Sequence, residues 1–580
     1  MNKKALKTLL AALLSTGLLA CSAQANTATD TSSSITVTAE NSSSAETVTA
    51  ASSAQLVQTT AENAVTSDDE HFSDRDYETT LHDAATEITL NGTSASVNGS
   101  GVKTSEGLVT ITSAGTYVLS GTFEGQILIE ATNTDKIQLV LNGVTITNDD
   151  SAAIYVKQAD KVFVTTASGS VNTLKVSGTF TADGDTNVDG VIFAKDDLTL
   201  NGEGTLKIES SDNGIVGKDD VTITSGTYMI AAGTEGHGIQ AKDELAIAGG
   251  SFEITSGKDG LHIANDEDTT LGNLYIIGGT FNIVAGTDGI EASGRIDIKG
   301  GDFTVNAGDD GITSDSELLI EDGEIDIVQS EEGLEGAQIT INGGSIKVKA
   351  SDDGLNANGS GTSSANTGWG GGMMDADSSA VLTINGGVIY VNAGGDGVDS
   401  NGTIVVNGGE IYVSGPTNSG NGALDYGISG TINGGIFVAV GASGMAENFS
   451  SGEQAAFLCS FNGTVSGGST ITVSDSSGNV LLSYTPEKDY QCAVVSLPEL
   501  KVGETYTVKA GSSESTVTLS SQFTGGMGMQ MGGPGMMGGQ MGQEGSFSGQ
   551  MPGGEMPSGD FSGQMPSGPM GGHGQGGFPH

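Results

Sequence analysis

Positive charge is scarce in this sequence: 21 Lys and Arg stand against 71 Asp and Glu, a formal net charge of −50 over 580 residues. That balance excludes a sequence-independent grip on nucleic acid, which relies on basic side chains at the phosphates. Arg75 and Arg295 are the only two arginines, so guanidinium clamps for carboxylate or phosphate are rare. A polyanionic partner therefore needs a bridging cation. Tryptophan occurs once, at Trp369, and cysteine three times. Beyond the first twenty or so residues no apolar run is long enough to span a bilayer. Apolar residues at helical spacing over ten or more positions are missing from the repeat described below, as is a leucine-rich-repeat signature.

The ends of the chain have their own composition. Lys3, Lys4 and Lys7 precede an apolar run from Leu9 to Leu14 that continues to Leu19, Ala20 and Cys21, the layout of a signal peptide. Leu18 to Cys21 resembles a lipobox, which makes residues 1–21 a lipoprotein-type signal with Cys21 as the lipidation site. Cleavage after Ala23-Gln24-Ala25 is the alternative, leading to ordinary secretion. Either route places the protein outside the cytoplasm, as a cell-surface lipoprotein held by its lipid anchor or as a secreted protein. Residues 22–84 are a Ser/Thr/Ala-rich linker and 523–580 a Gly/Met/Pro-rich tail, both too poor in large apolar side chains to offset the entropy of folding. Cys459 and Cys492 remain as an even pair, expected to form a disulfide, with two buried free thiols as the alternative.

Glycine is abundant, with 92 residues, and it marks a repeat. Asp259-Gly260-Leu261, Asp288-Gly289-Ile290, Asp310-Gly311-Ile312, Glu332-Gly333-Leu334, Asp353-Gly354-Leu355 and Asp396-Gly397-Val398 place their glycines 29, 22, 22, 21 and 43 residues apart. Weaker copies carry Gly190, Gly214 and Gly238. A period near 22 is one solenoid coil. Within a coil, Ile290 and Ala292, Ile296 and Ile298, then Phe303, Val305 and Ala307 alternate with polar residues in three short bursts, the period of half-buried strands. Gly300-Gly301 and its counterparts supply corners that need positive φ. The fold expected over 85–453 is all-β, a right-handed three-sided parallel β-helix. Residues 88–123 would cover its N-terminal edge and a small antiparallel β domain over 454–522 its C-terminal edge.

The repeat stacks negative charge. Asp288, Asp310, Glu332 and Asp353 should form a column, doubled by Asp309, Glu331 and Asp352, while Glu291, Glu335 and Asp399 stand two positions after their glycines on outward strand positions. Carboxylates about 4.8 Å apart repel by roughly 1 kcal/mol in water and by several times that near a protein surface. Calcium resolves the conflict, since it takes six to eight hard oxygens from carboxylates and carbonyls. Local preference of Asp for turns before Gly also explains single Asp-Gly pairs, but accounts less well for the neighbouring acids.

Thr116-Tyr117-Val118-Leu119-Ser120-Gly121, Gln138-Leu139-Val140-Leu141-Asn142-Gly143-Val144 and Ala153-Ile154-Tyr155-Val156, followed by the Asp-Gly coils, resemble a family of exported bacterial carbohydrate-binding proteins with a fold similar to that of pectate lyases. The resemblance covers roughly residues 85–520. It implies a right-handed parallel β-helix that binds calcium and plant cell-wall polysaccharides, acidic pectin included, without cleavage. Carried across, the metal ligands are Asp259, Asp288, Asp310, Glu332, Asp353 and Asp396, to which the pattern of acids adds Asp309 and Asp352. Asn213-Gly214 and His237-Gly238 depart from the pattern, which puts calcium in those coils in doubt.

Three classes of function remain. The first is calcium-dependent binding of an acidic polysaccharide, with Glu291, Glu335 and Asp399 on the binding face and Trp369, in the 359–379 insertion, as an aromatic platform or part of a plain surface loop. The second is a structural or adhesive protein that calcium only stiffens. The third, a lyase, needs a base; Arg295 and Lys258 are the basic residues near the acidic coils, and no catalytic residue is assigned. His237 and His262, on neighbouring coils, could hold a transition metal with Asp259, or be solvated members of a ladder. Met527, Met529 and Met531 offer soft ligands for Cu(I) within what otherwise reads as a plain tail.

Overall fold

The computed structural model describes residues 70–360 and 376–525. The signal segment with Cys21, the Trp369 loop and the methionine-rich tail lie outside the described residues. Of the 44 strands among the described residues, 40 join one continuous sheet system and 4 form a separate sheet. Leu261–Ile263, Asn273–Ile276 and Thr280–Val284 make one coil; they pair in parallel, in register, with Ile290–Ala292, Ile296–Ile298 and Asp302–Asn306 of the next. Each of these strands thus pairs with the third one on in the chain, which makes the body a three-sided parallel β-helix.

The period-two pattern is what turns alternate residues inward. Leu261, Ile290, Ile312, Leu334, Leu355 and Val398 follow one another down a fully buried ladder, each burial contributing about 1.5–3 kcal/mol. Phe252, Phe281 and Phe303 stack inside with ring centroids 4.7 and 4.6 Å apart, the coil repeat itself. The corner glycine Gly301 has φ +116°, as the Gly-Gly spacing required. Gly289 serves a different need: an added Cβ would lie 2.5 Å from Gly311 O and against Val305 Cγ1. The acidic turns demand glycine for space between coils.

At the N-terminal edge, Thr86–Gly92 with Ser94–Asn98, and Val102–Ser105 with Leu108–Ile111, form antiparallel hairpins that then continue in parallel with the first coil. Residues 70–84, assigned from composition to the linker, are instead laid against the outer face of the coils. Asp76 is 1% exposed and accepts hydrogen bonds from Ser73 and Thr199 while pairing with Lys161 Nζ at 2.9 Å. Arg75 sits over the Phe163 ring at 4.5 Å, and Phe72 packs against Ala246 and Tyr275. Composition misses this strap because a few well-placed side chains, not bulk hydrophobicity, hold it.

At the C-terminal edge, Tyr490–Ser496 pairs antiparallel with both Ile436–Gly441 and Ala456–Val465. Ile471–Ser474, Val480–Tyr484, Thr505–Ala510 and Ser513–Thr518 form the separate antiparallel sheet. The expected disulfide does not form: Cys459 and Cys492 are free and buried. Cys459 stands opposite Ala493, and Cys492 opposite Ser460. A one-residue offset in an antiparallel pair sends the two side chains to opposite faces. Burial pushes the Cys459 thiol up to about 12 and that of Cys492 up to about 11, so both are inert. Apolar packing of Phe457, Val473, Tyr506 and Val508 holds the cap.

Candidate cation-binding column

The turn acids lie between the strand equivalent to Asp302–Asn306 and the first strand of the next coil. Gly289 N–H donates to Asp310 O, Gly311 to Glu332 O, Gly333 to Asp353 O and Gly354 to Asp396 O, each at 2.9 Å. These bonds place Asp259, Asp288, Asp310, Glu332, Asp353 and Asp396 in one column along one edge. One carboxylate oxygen of most of them is occupied: Asp259, Asp288, Asp310 and Asp353 accept the backbone N–H of the next acid at 3.1, 2.8, 3.2 and 2.5 Å, and Asp396 accepts Gly422 N–H. These carboxylate-to-backbone bonds run between coils and not within the turn itself, and each uses one oxygen of its carboxylate.

The turn carboxylates meet the outward strand position, read down the ladder as His262, Glu291, Thr313, Glu335, Asn356 and Asp399. Acids fill it on every second coil from Glu291 onward. Three all-oxygen groups result: Asp259, Asp288 and Glu291; Asp310, Glu332 and Glu335; and Asp396, Asp399 and Asp425, with the ligand atoms of each group within 4.8 Å of one another. The outward acids of the three groups, Glu291, Glu335 and Asp399, lie two coils, or roughly 9–10 Å, apart. Thr313 and Asn358 donate to Glu335, and Asn356 Nδ2 donates to Glu332 at 2.9 Å.

Burial drives Asp288, Asp310, Glu332, Asp353, Asp396 and Asp399 towards the protonated form. Burial, a hydrogen bond to Glu335 and the charges of Glu335, Asp288 and Glu332 push Asp310 up to about 9. Burial with like-charge repulsion raises Asp399 to about 8, Asp288, Glu332 and Asp396 to about 7 and Asp353 to about 6. Either protons or a cation must relieve the column at neutral pH. The residues fit calcium: besides the carboxylates, the buried Asn356 Oδ1 has no hydrogen-bond partner and is the kind of hard neutral oxygen that completes a calcium shell. Asp309, Asp352 and Glu331 are exposed beside the column, outside the three groups.

Two groups of residues escaped the sequence reading. Asp425 follows no coil repeat; the irregular 415–428 segment brings it to Asp396 and Asp399, and no local signal announces it. Asp197, Asp219 and Asp220 converge at another corner, where burial and neighbouring acids raise Asp220 to about 7. Lys195-Asp196-Asp197, Lys218-Asp219-Asp220 and Lys242-Asp243-Glu244 recur 23 and 24 residues apart and would have revealed it. Of the candidate bases, Arg295 sits by the second strand of its coil, 3.7 Å from Asp297 and 3.5 Å from Glu317, away from the column. Exposed aromatic surface does occur: Tyr390, 43% exposed, stacks on Tyr412 at 5.1 Å, with Tyr484 tilted beyond. This ladder lies on the strand that precedes the acidic turn.

Residues 105–376 match the model of a family described as carbohydrate-binding domain-containing protein. A protein of that description from Acetivibrio thermocellus is 38% identical over 119 residues, which is 20% of this chain and 42% of the relative. This chain thus spans less than half of that relative's length. A solved structure described as the polysaccharide lyase-like protein from C. thermocellum, in a gadolinium derivative, is 32% identical and covers 40% of this chain and 96% of that chain, with a TM-score of 0.39. The coils that carry the first two all-oxygen groups fall within the segment that resembles carbohydrate-binding domain-containing proteins.

Proposed function

We propose that this protein binds an acidic, pectin-like polysaccharide through calcium ions held on the acidic column, and that it does so without cleaving the chain. The observation that carries the reading is the convergence of Asp310, Glu332 and Glu335, repeated on alternate coils by the Asp259 and Asp396 groups. Calcium there would have protein oxygens on one side and open coordination positions on the solvent side, which sugar carboxylates can fill. A linear polyuronate presents carboxylates at regular intervals, and a row of cations at regular intervals suits it. The charge of −50 then ceases to repel the ligand. Kinship with carbohydrate-binding domain proteins over 105–376 points to the same class of partner. Arg295, paired with Asp297 and Glu317, is not poised as a base beside the column, which leaves Lys258, next to Asp259, as the basic residue for a lyase reading to use. Lipidation at Cys21 would keep the protein at the cell surface.

The test is binding of polygalacturonate with calcium and with chelator, in the wild type and in Glu291→Gln/Glu335→Gln/Asp399→Gln. Binding should need calcium and weaken at least about tenfold in the variant; chelator-insensitive binding ends the proposal. Unsaturated uronate products formed in the same incubation would replace it with a lyase. A second reading, in which calcium only stiffens the rungs, is favoured by the carboxylate-to-backbone bonds between coils. It predicts calcium-dependent stability with no affinity for any glycan on an array.

A further inference from the structure

At its N-terminal end the acidic column changes donor chemistry. His237 stands where later coils carry a turn acid, and His262 fills the outward position that Glu291 takes one coil on. The two imidazoles stack with centroids 4.2 Å apart and an interplanar angle of 24°. Nδ1 of each lies 2.9 Å from the same oxygen, Asp259 Oδ2, and His262 Nδ1 is also 2.7 Å from Glu291 Oε2. The side chains of His237, His262 and Asp259 are 12, 17 and 5% exposed. The other Asp259 oxygen accepts from the Thr287 hydroxyl and the Asp288 N–H, which fixes the carboxylate with Oδ2 turned to the rings.

Hydrogen bonding accounts for only part of this convergence. His237 Nδ1 is buried and makes no hydrogen bond, although Asp259 Oδ2 is 2.9 Å away; the contact is close but misaligned. Two ring nitrogens crowd one oxygen, and a second carboxylate crowds one of those nitrogens. A cation among them resolves the crowding. Zinc bonds of about 2.0–2.2 Å to nitrogen and oxygen set tetrahedral donors about 3.3 Å apart, a small opening from the distances present. Imidazole suits zinc, copper and nickel, whereas calcium takes oxygen.

We propose that His237, Asp259 and His262, with Glu291 as fourth ligand, form a site for a divalent transition-metal ion of the zinc type. The ion clips three successive coils together and closes the N-terminal end of the column. Asp259 and Glu291 also belong to the first all-oxygen group, so zinc here and calcium there exclude each other. The Asp310 and Asp396 groups share no residue with it.

Zinc is titrated against a chromophoric chelator into the full chain, freed of metal and held in excess calcium, and Co²⁺ is used in parallel for its visible ligand-field bands. The wild type should bind one more equivalent than His237→Gln/His262→Gln and show four-coordinate cobalt bands that the variant lacks. His237→Gln alone keeps the His262 contact to Asp259, and should weaken the site at least about tenfold with the fold preserved. Glu335→Gln should keep the site, so a failure of the calcium reading leaves this difference untouched. Equal zinc stoichiometry and equal cobalt spectra in wild type and both histidine variants would overturn the proposal.

Discussion

Asp259 and Asp310 occupy the same register position two coils apart, yet their carboxyls are driven in opposite directions. Burial alone would raise both. Around Asp259, however, His237, His262 and Thr287 outweigh burial and hold it well below the usual carboxylate range. His262 in turn, though burial opposes its charge, is pushed up to about 9 by Asp259 and Glu291. Asp310 has Thr313 and Asp288 at the positions that His262 and His237 hold beside Asp259, and with Glu335 close by it rises to about 9. A periodic backbone sets equal positions, and the neighbour on the next rung sets the chemistry.

The largest test of that contrast is pH. Asp288, Asp310, Glu332, Asp353, Asp396 and Asp399 keep their protons up to about 6 to 9 when folded, against about 4 when unfolded. The folded state therefore binds more of these protons between those limits, so the contribution of the six groups to metal-free stability is fully present below about pH 4 and is lost as pH rises to 9. The total loss should be about 3–5 kcal/mol after allowance for solvent screening. Denaturant midpoints at pH 5, 7 and 9 should show the slope in chelator and a much flatter profile in calcium.

One substitution made at two equivalent positions breaks the comparison next. At neutral pH, Asp259→Asn removes the counter-charge of a buried imidazolium and should cost about 3 kcal/mol. Asp310→Asn removes a repulsive acid and should gain about 1 kcal/mol without calcium, while losing much of the stabilisation that calcium brings. Equal signs for the two in metal-free unfolding would sink the contrast. A smaller effect sharpens it: Asn356→Asp puts an acid between Glu335 and Asp399, making the acid run unbroken there. Metal-free stability should drop by about 1 kcal/mol and calcium binding by calorimetry should tighten. The smallest expected effect is none. Reducing agent should leave the unfolding midpoint unchanged, because Cys459 and Cys492 are free thiols directed to opposite faces of their sheet.

Much of this was legible beforehand for one reason, that a solenoid repeats its contacts at a fixed interval in the chain. The turn glycines announce the coil length, the alternation of Ile296, Asp297 and Ile298 announces inside and outside, and the spacing of Asp288, Asp310 and Glu332 announces a column. Residues whose partners are not one coil away were hidden. Asp76 meets Thr199, 123 positions on, and Asp425 reaches Asp396 from a segment without a repeat. The cysteine pair failed on a single residue of register, which an even count of cysteines cannot reveal.

The amino-acid order by itself determined a three-stranded coil, the stacking of its apolar residues and the accumulation of acids along one edge, because all three follow from local period and near-neighbour spacing. Only the tertiary structure decided which oxygens and nitrogens converge. Cation sites depend on ångström-scale meetings between rungs: Glu335 with Asp310 and Glu332, Asp425 with Asp396 and Asp399, and two imidazoles on one oxygen of Asp259. Those meetings are set by inter-coil register and burial, which no single stretch of sequence contains.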